Sequence, residues 1–204
     1  MSTSNVARNF RQGAYQRAAE DWYVEPRWCV EQLADAIDFT GDRIWDPCCG
    51  CGTIPDVFLD RGRAVRASDI VDRGYLGTDE HDFLSPSSGL WIDSSTSIVT
   101  NPPFKLAEPI IRHALSFEPH RVAILQQLSF LASAGRHALF TAFPPSDVLI
   151  LSRRPSMPPG AMIAELGKRA FNTGTTDYCW IVWTGIHDRP TSIRWLSPVM
   201  GNPG

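Results

Sequence analysis

Trp45-Asp46-Pro47-Cys48-Cys49-Gly50-Cys51-Gly52-Thr53 is the stretch that decides the fold. The apolar run from Arg43 to Cys48 reads as a short strand. It breaks into a turn with two glycines, and Thr53 to Leu59 then carries Ile54, Val57 and Phe58 at helical spacing. Pro55 falls in the first turn of that helix, where a missing N–H is harmless. Arg61-Gly62 closes the helix and Ala64 to Ile70 forms the next strand. Glycines in such a turn let the backbone reach contact distance with a ligand and adopt conformations closed to other residues. The turn stands at the carboxyl end of a strand, where open α/β sheets bind their ligands.

Outward from this unit, Arg27 to Phe39 has apolar residues at helical spacing and stops at Gly41. The Gly-, Ser- and Asp-rich stretch from Val71 to Ser97 shows only one weak strand, near Tyr75 to Thr78. Strands are expected at Ser97–Asn101, Arg121–Leu128, Val148–Ser152, Tyr178–Thr184 and Thr191–Leu196, with helices at Ala107–Phe117 and Arg136–Phe143. Alternating strands and helices imply an α/β fold, a mostly parallel sheet with helices on both faces. The two closing strands, joined by a short connection, fit an antiparallel edge. The loop over 153–177 is long for a compact domain, and such loops are usually functional or mobile. The first 26 residues read as an arm, and the whole chain, 1–204, as a single domain.

The totals suit a soluble globular protein: 43% hydrophobic and 20% charged over 204 residues. A net charge of -3 and a pI of about 5.9 argue against a broadly basic nucleic-acid coat but leave room for a local basic face. Arg153, Arg154, Lys168 and Arg169 fall in or beside the long loop, and Arg8, Arg11 and Arg17 lie near the start. No apolar run has transmembrane length, and the opening residues lack the apolar core of a signal peptide. Among five cysteines, Cys48, Cys49 and Cys51 are too close together to form a disulfide framework. No second Cys or His pair at zinc-finger spacing follows them, so small residues filling a tight turn is the preferred reading and no metal is expected.

Val99-Thr100-Asn101-Pro102-Pro103-Phe104 carries the chemistry. A buried strand ends at two prolines and leaves an amide and an aromatic ring at its carboxyl end. An exocyclic amine on a nucleobase is a poor nucleophile because its lone pair is delocalised into the ring. Acceptors on its two N–H groups favour a pyramidal nitrogen and stabilise the positive charge that grows during attack. The Asn101 side-chain oxygen and the Pro102 carbonyl suit that task. Pro102 and Pro103 restrict the backbone, and Phe104 offers a face on which a planar base can stack.

Together these segments resemble the S-adenosylmethionine-dependent amino-methyltransferases of class I, with a Rossmann-like fold. The glycine turn is similar to their motif I and Asn-Pro-Pro-Phe to their motif IV. The resemblance implies cofactor contacts along Asp46, Pro47, Cys48, Gly50, Gly52 and Thr53, with Asp46 and the glycines at the methionine end. It implies that Asp69 accepts both ribose hydroxyls, with Asp72 as the fallback, and that Ile70 packs on the adenine. Asp82-Phe83 would meet the adenine amino group and face, with Asp79 as an alternative. Asp21-Trp22-Tyr23-Val24-Glu25-Pro26 resembles motif X, which implies cofactor contacts at Tyr23 and Pro26, but Glu25 stands where a threonine is usual. Phe130 to Arg136 and Tyr178 to Trp183 resemble the later part of small DNA adenine-N6 methyltransferases of phages and prophages. The implied activity is direct, in-line methyl transfer to N6 of an adenine flipped out of duplex DNA, in the cytoplasm of a bacterium or phage-infected host. Arg153, Arg154, Lys168 and Arg169 would be the DNA footprint. RNA bases, a protein glutamine, or a silent cofactor-binding scaffold are the competing readings.

Overall fold

Thr96–Thr100 is buried at all five positions, as a strand needs to be when both sheet faces are covered. It lies inside a sheet of eight strands in a computed structural model that describes residues 21–172, 174–185 and 189–198 (for Lys168, the backbone alone). In chain order the elements are α1 (Arg27–Ala36), β1 (Arg43–Asp46), α2 (Thr53–Asp60), β2 (Ala64–Asp69), β3 (Thr78–Glu80) and β4 (Thr96–Thr100). They continue with α3 (Ala107–Ser116), β5 (Arg121–Gln127), α4 (His137–Ala142), β6 (Asp147–Leu151), the single turn α5 (Ile163–Leu166), β7 (Tyr178–Thr184) and β8 (Ser192–Leu196).

The order across the sheet is β3-β2-β1-β4-β5-β7-β6-β8. The chain winds one way from β1 to β3 and the other way from β4, so the order reverses between β1 and β4. Alternating strand residues feed two cores. Ile44, Val99, Leu125 and Trp180 pack with α1 and α2 on one face. Trp45, Ile98, Ile124 and Ile181 pack with α3 and Leu139 of α4 on the other. Helices therefore cover both faces, as expected.

The antiparallel strand is not at an edge. β7 is antiparallel to both neighbours and sits between β5 and β6, while β8 pairs parallel with β6. The physical reason is side-chain cover: Tyr178 to Trp183 are all buried, and an edge position would leave many of them in water. β8 tolerates the rim, with Ile193 56% and Trp195 70% exposed. Two other boundaries move. α1 ends at Ala36 because Ile37 is extended, and β3 begins where the weak strand was expected to end.

The long loop is structured by turns and α5, and it is tied to the segment before α1. Val24 N–H donates to the Pro158 carbonyl (3.0 Å), Gly160 N–H donates to Trp22 (3.1 Å), and Tyr23 bridges Pro159.

Candidate functional site

A cavity of about 340 Å3 opens at the carboxyl ends of β1, β2, β3 and β4, at the point where strand order reverses. Of the expected residues, Tyr23, Pro47, Cys48, Gly50, Thr53, Asp69, Ile70, Asp82, Phe83, Asn101 and Pro103 line it. Pro26, Asp46, Gly52, Pro102 and Phe104 stand behind or beside that wall. The lining carries four carboxylates (Asp21, Glu25, Asp69 and Asp82) against the single guanidinium of Arg73.

The glycine turn explains part of this. Asp46 is buried beneath the wall, where its carboxylate accepts from the Cys48 N–H at 3.1 Å. Burial, with Glu25 and Asp69 nearby, pushes its carboxyl well above the usual carboxylate range. Gly50 N–H donates to Asp69 Oδ2 at 2.9 Å, tying the turn to β2. Gly52 is left-handed (φ +89°) and leads into α2, but Tyr75 covers it: a Cβ there would sit 2.0 Å from the tyrosine ring. Gly52→Ala should destabilise the protein by about 1–3 kcal/mol from backbone strain alone. Adding Tyr75→Ala should remove the clash but not the strain, so chemical denaturation should show only partial recovery. Full recovery would mean the backbone there is not strained.

Asp69 is buried, with Oδ1 at 3.3 Å from Arg73 Nε and Oδ2 on Gly50. A carboxylate has further lone pairs, so it still has acceptor capacity for a hydroxyl. Ile70 is 57% exposed at the rim. Phe83 is buried edge-on against Trp45 (5.2 Å), while Asp82 is exposed and holds the Leu84 N–H at 2.9 Å. The alternatives lie off the cavity wall: Asp79 pairs with Arg66 (2.6 Å) and Asp72 holds Gly74 N–H (2.7 Å).

Asn101 occupies the carboxyl end of β4, and its amide is oriented by two acceptors. Nδ2 donates to the Tyr23 carbonyl (3.0 Å) and to Glu25 Oε2 (2.8 Å). Oδ1 is thereby left as the acceptor. The N–H of Lys105 goes to Asp21 Oδ2 at 3.2 Å, so the turn does not need the Pro102 carbonyl three residues back. Phe104 stacks on Tyr23 (centroids 5.7 Å apart, 26° between planes) and tilts toward Tyr178 (6.2 Å). One of its faces is therefore occupied by protein.

Glu25 was read from sequence only as a departure at a threonine position. The fold makes it the partner of Asn101, a role no local signal carries because the two are 76 residues apart. Burial raises its carboxyl from 4.5 to about 7, despite the hydrogen bond from Asn101. The unfolded chain releases this proton near pH 4.5 and the folded chain only near 7. The associated stability is present below the lower value and lost as pH rises through the upper one. Glu25→Gln should therefore stabilise the protein by roughly 3 kcal/mol at pH 8, and much less at pH 5. Thermal melts of both proteins across that range check it; equal shifts at both ends would contradict the assignment.

Trp22, Tyr75 and His81 were also missed. Trp22 stands 2.7 Å from where a Cβ on Gly50 would be, under the Arg73 guanidinium (4.4 Å). His81 lines the cavity, with Nε2 at 2.7 Å from Ser88 Oγ; burial lowers its pKa. Three side chains of the expected basic footprint lie among the described residues. Arg153 lies over Trp28 (5.2 Å), Arg154 pairs with Asp177 (2.7 Å), and Arg169 is exposed. The Lys168 side chain and Arg8, Arg11 and Arg17 lie outside the described residues. The cysteines are all thiols, and Cys49 is pushed up to about 12 by burial. Among the described residues no group of three His, Cys, Asp or Glu is placed to hold a metal, and no helix is long and apolar enough to cross a membrane.

The wall suits a ligand that combines positive charge, hydroxyl groups and a flat ring: buried carboxylates for the first two, Ile70 and Phe83 for the third. No family model and no curated protein sequence matches this chain significantly. Solved structures do. A protein assigned as the modification subunit of a type I restriction enzyme from Vibrio vulnificus is 15% identical, with a TM-score of 0.53 over 91% of this chain. This chain spans 48% of that protein's length. A dimethyladenosine transferase from Plasmodium falciparum is 16% identical (TM-score 0.53; 80% of this chain, 63% of that one). A SAM-dependent O-methyltransferase from Thermotoga maritima is 13% identical (TM-score 0.51; 89% and 72%). Strand order, the antiparallel β7 and these likenesses agree that the chain has the Rossmann-like α/β fold of class I methyltransferases.

Proposed function

We propose that this protein is an S-adenosylmethionine-dependent methyltransferase acting on N6 of an adenine flipped out of DNA. The observation that carries the reading is the Asn101 amide, held by Tyr23 and Glu25 so that Oδ1 is the acceptor, beside an acidic cavity at the strand-order reversal. Glu25 and Asp69 suit the cationic and ribose parts of the cofactor, with Ile70, Asp82 and Phe83 around the adenine. When bound, S-adenosylmethionine supplies the methyl group as an activated electrophile.

The chain's own residues prepare the nucleophile. Asn101 Oδ1 and the Pro102 carbonyl accept from the two amino N–H groups and offset the charge growing on nitrogen. Orientation and electrostatics carry the rate, with no covalent intermediate. Phe104, braced by Tyr23, would be the ring nearest the base. Flipping costs a few kcal/mol, recovered in part by that stacking. The likeness to a modification subunit and to a dimethyladenosine transferase favours a nucleic-acid amine, and the later-segment resemblance favours DNA.

A cation bound next to Glu25 favours its ionised form, so binding releases a proton. Cofactor affinity should therefore rise with pH through about 7, and Glu25→Gln should flatten that profile in calorimetric titrations. The test of function is mass spectrometry of nucleosides from DNA, and in parallel RNA, exposed to protein and cofactor. N6-methyldeoxyadenosine is expected. Methylation found only in RNA or in protein would replace the DNA reading.

A further inference from the structure

Pro103 lines the acidic cavity, and the next residue, Phe104, lines a second concave region. This is a groove of about 510 Å3 whose lining includes Phe104, Lys105, Glu108, Arg112, Phe130 and Arg136. Lys105, Glu108 and Arg112 come from the turn before α3 and its first two turns, and Phe130 and Arg136 from the segment after β5. Three cations therefore meet one carboxylate, and Glu108 is already engaged by Arg112 (3.0 and 2.9 Å). Arg136 lies over the Phe130 ring at 4.0 Å and donates from Nη1 to the Phe130 carbonyl at 3.3 Å. Its plane is set in advance while most of its five N–H donors stay available. Lys105 is exposed and has no ion pair among the described residues.

The two regions carry opposite charge. The cavity side carries four carboxylates and would repel a phosphate, while the groove side attracts one. We propose that this groove holds the phosphodiester backbone of the DNA strand beside the target base, with Lys105, Arg112 and Arg136 as the phosphate contacts. The proposal rests on the DNA reading above.

The test is fluorescence anisotropy of a labelled DNA duplex, and of an RNA duplex of the same length, over a salt series. Wild type, Lys105→Gln/Arg136→Gln, Lys105→Gln/Arg112→Gln and Arg154→Gln/Arg169→Gln are compared, with melting curves for each. Each groove variant should bind DNA ~10-fold more weakly and lose about 2 from the slope of log affinity against log salt, at about 0.9 per phosphate contact. The second groove variant keeps the Arg136–Phe130 contact, so a folding defect in the first does not decide the matter. The loop variant should match wild type. Groove variants with the wild-type slope, or a loss confined to the loop variant, would overturn the groove while leaving the DNA reading intact. No salt-dependent DNA binding by wild type, or tighter binding of RNA through the same residues, would sink both.

Discussion

Replacing Asn101 by alanine should lower the rate of methyl transfer by about a thousandfold or more, while cofactor affinity changes only a few-fold. Loss of one preorganised hydrogen-bonding group at a reacting centre typically costs 10²–10³ in rate, and here the second acceptor, the Pro102 carbonyl, depends on the same turn. Cofactor affinity changes little because its expected contacts at Asp69, Ile70, Asp82 and Phe83 come from β2 and the segments after β2 and β3, while Glu25 loses the Asn101 hydrogen bond but keeps its carboxylate. Single-turnover assays with calorimetric titration separate the two quantities. Turnover that survives the change would remove Asn101 from the reacting centre.

The same geometry explains why an amide, rather than a carboxylate, stands here. Asn101→Asp would place a second carboxyl against Glu25 Oε2 and the Tyr23 carbonyl, where Nδ2 now donates. Like charges at that separation repel, so one group must take a proton or move away. Adding Glu25→Gln supplies the missing donor from the other side. The double variant should therefore recover activity lost in Asn101→Asp, and a double-mutant cycle measures the coupling. Additive losses would mean that Glu25 does not position residue 101.

Trp180→Ala should be the most damaging change to stability, by about 3–5 kcal/mol. Trp180 is fully buried in β7, between β5 and β6, paired with Leu125 and Leu149. Its Nε1 also donates to the Cys29 carbonyl of α1 at 2.9 Å, so its removal opens a cavity and takes away that carbonyl's second donor. Trp180→Phe, which keeps much of the volume, should lose only about 0.5–1.5 kcal/mol from the missing hydrogen bond, with a smaller packing loss beside it. Urea denaturation of both variants checks this. Near-equal losses would mean the hydrogen bond, rather than packing, dominates.

The first half of the fold was legible because each unit carries its own signal. The glycine turn, the helix after it and the buried strand before the double proline follow from local periodicity and turn chemistry. The closing strands did not follow. Tyr178 to Trp183 reads as a strand under any arrangement, and its neighbours are decided by which slot buries both faces. The short connection from β7 to β8 suggested a hairpin, but β6 lies between them and the more exposed strand takes the rim.

At the site, the residue types were legible and their neighbours were not. Asp69, Asp82, Phe83 and Asn101 lie on one cavity because strand ends in an open parallel sheet share a rim, and strand ends can be read from sequence. Asp46 and Gly52 lie off the wall, because Cys48 uses the carboxylate and Tyr75 covers the glycine. The expected basic loop is engaged by Trp28 and Asp177, whereas Arg112 and Arg136, 24 positions apart by their numbers, share a groove.

The sequence by itself determined the alternation of strand and helix, the glycine turn and the amide-and-ring terminus of β4, all consequences of residues within one or two turns of one another. Only the tertiary structure decided the slot of β7, the Glu25–Asn101 contact and the gathering of Lys105, Arg112 and Arg136 on one groove. Those depend on distant segments competing for the same buried space, and chain order does not encode the result of that competition in any short stretch.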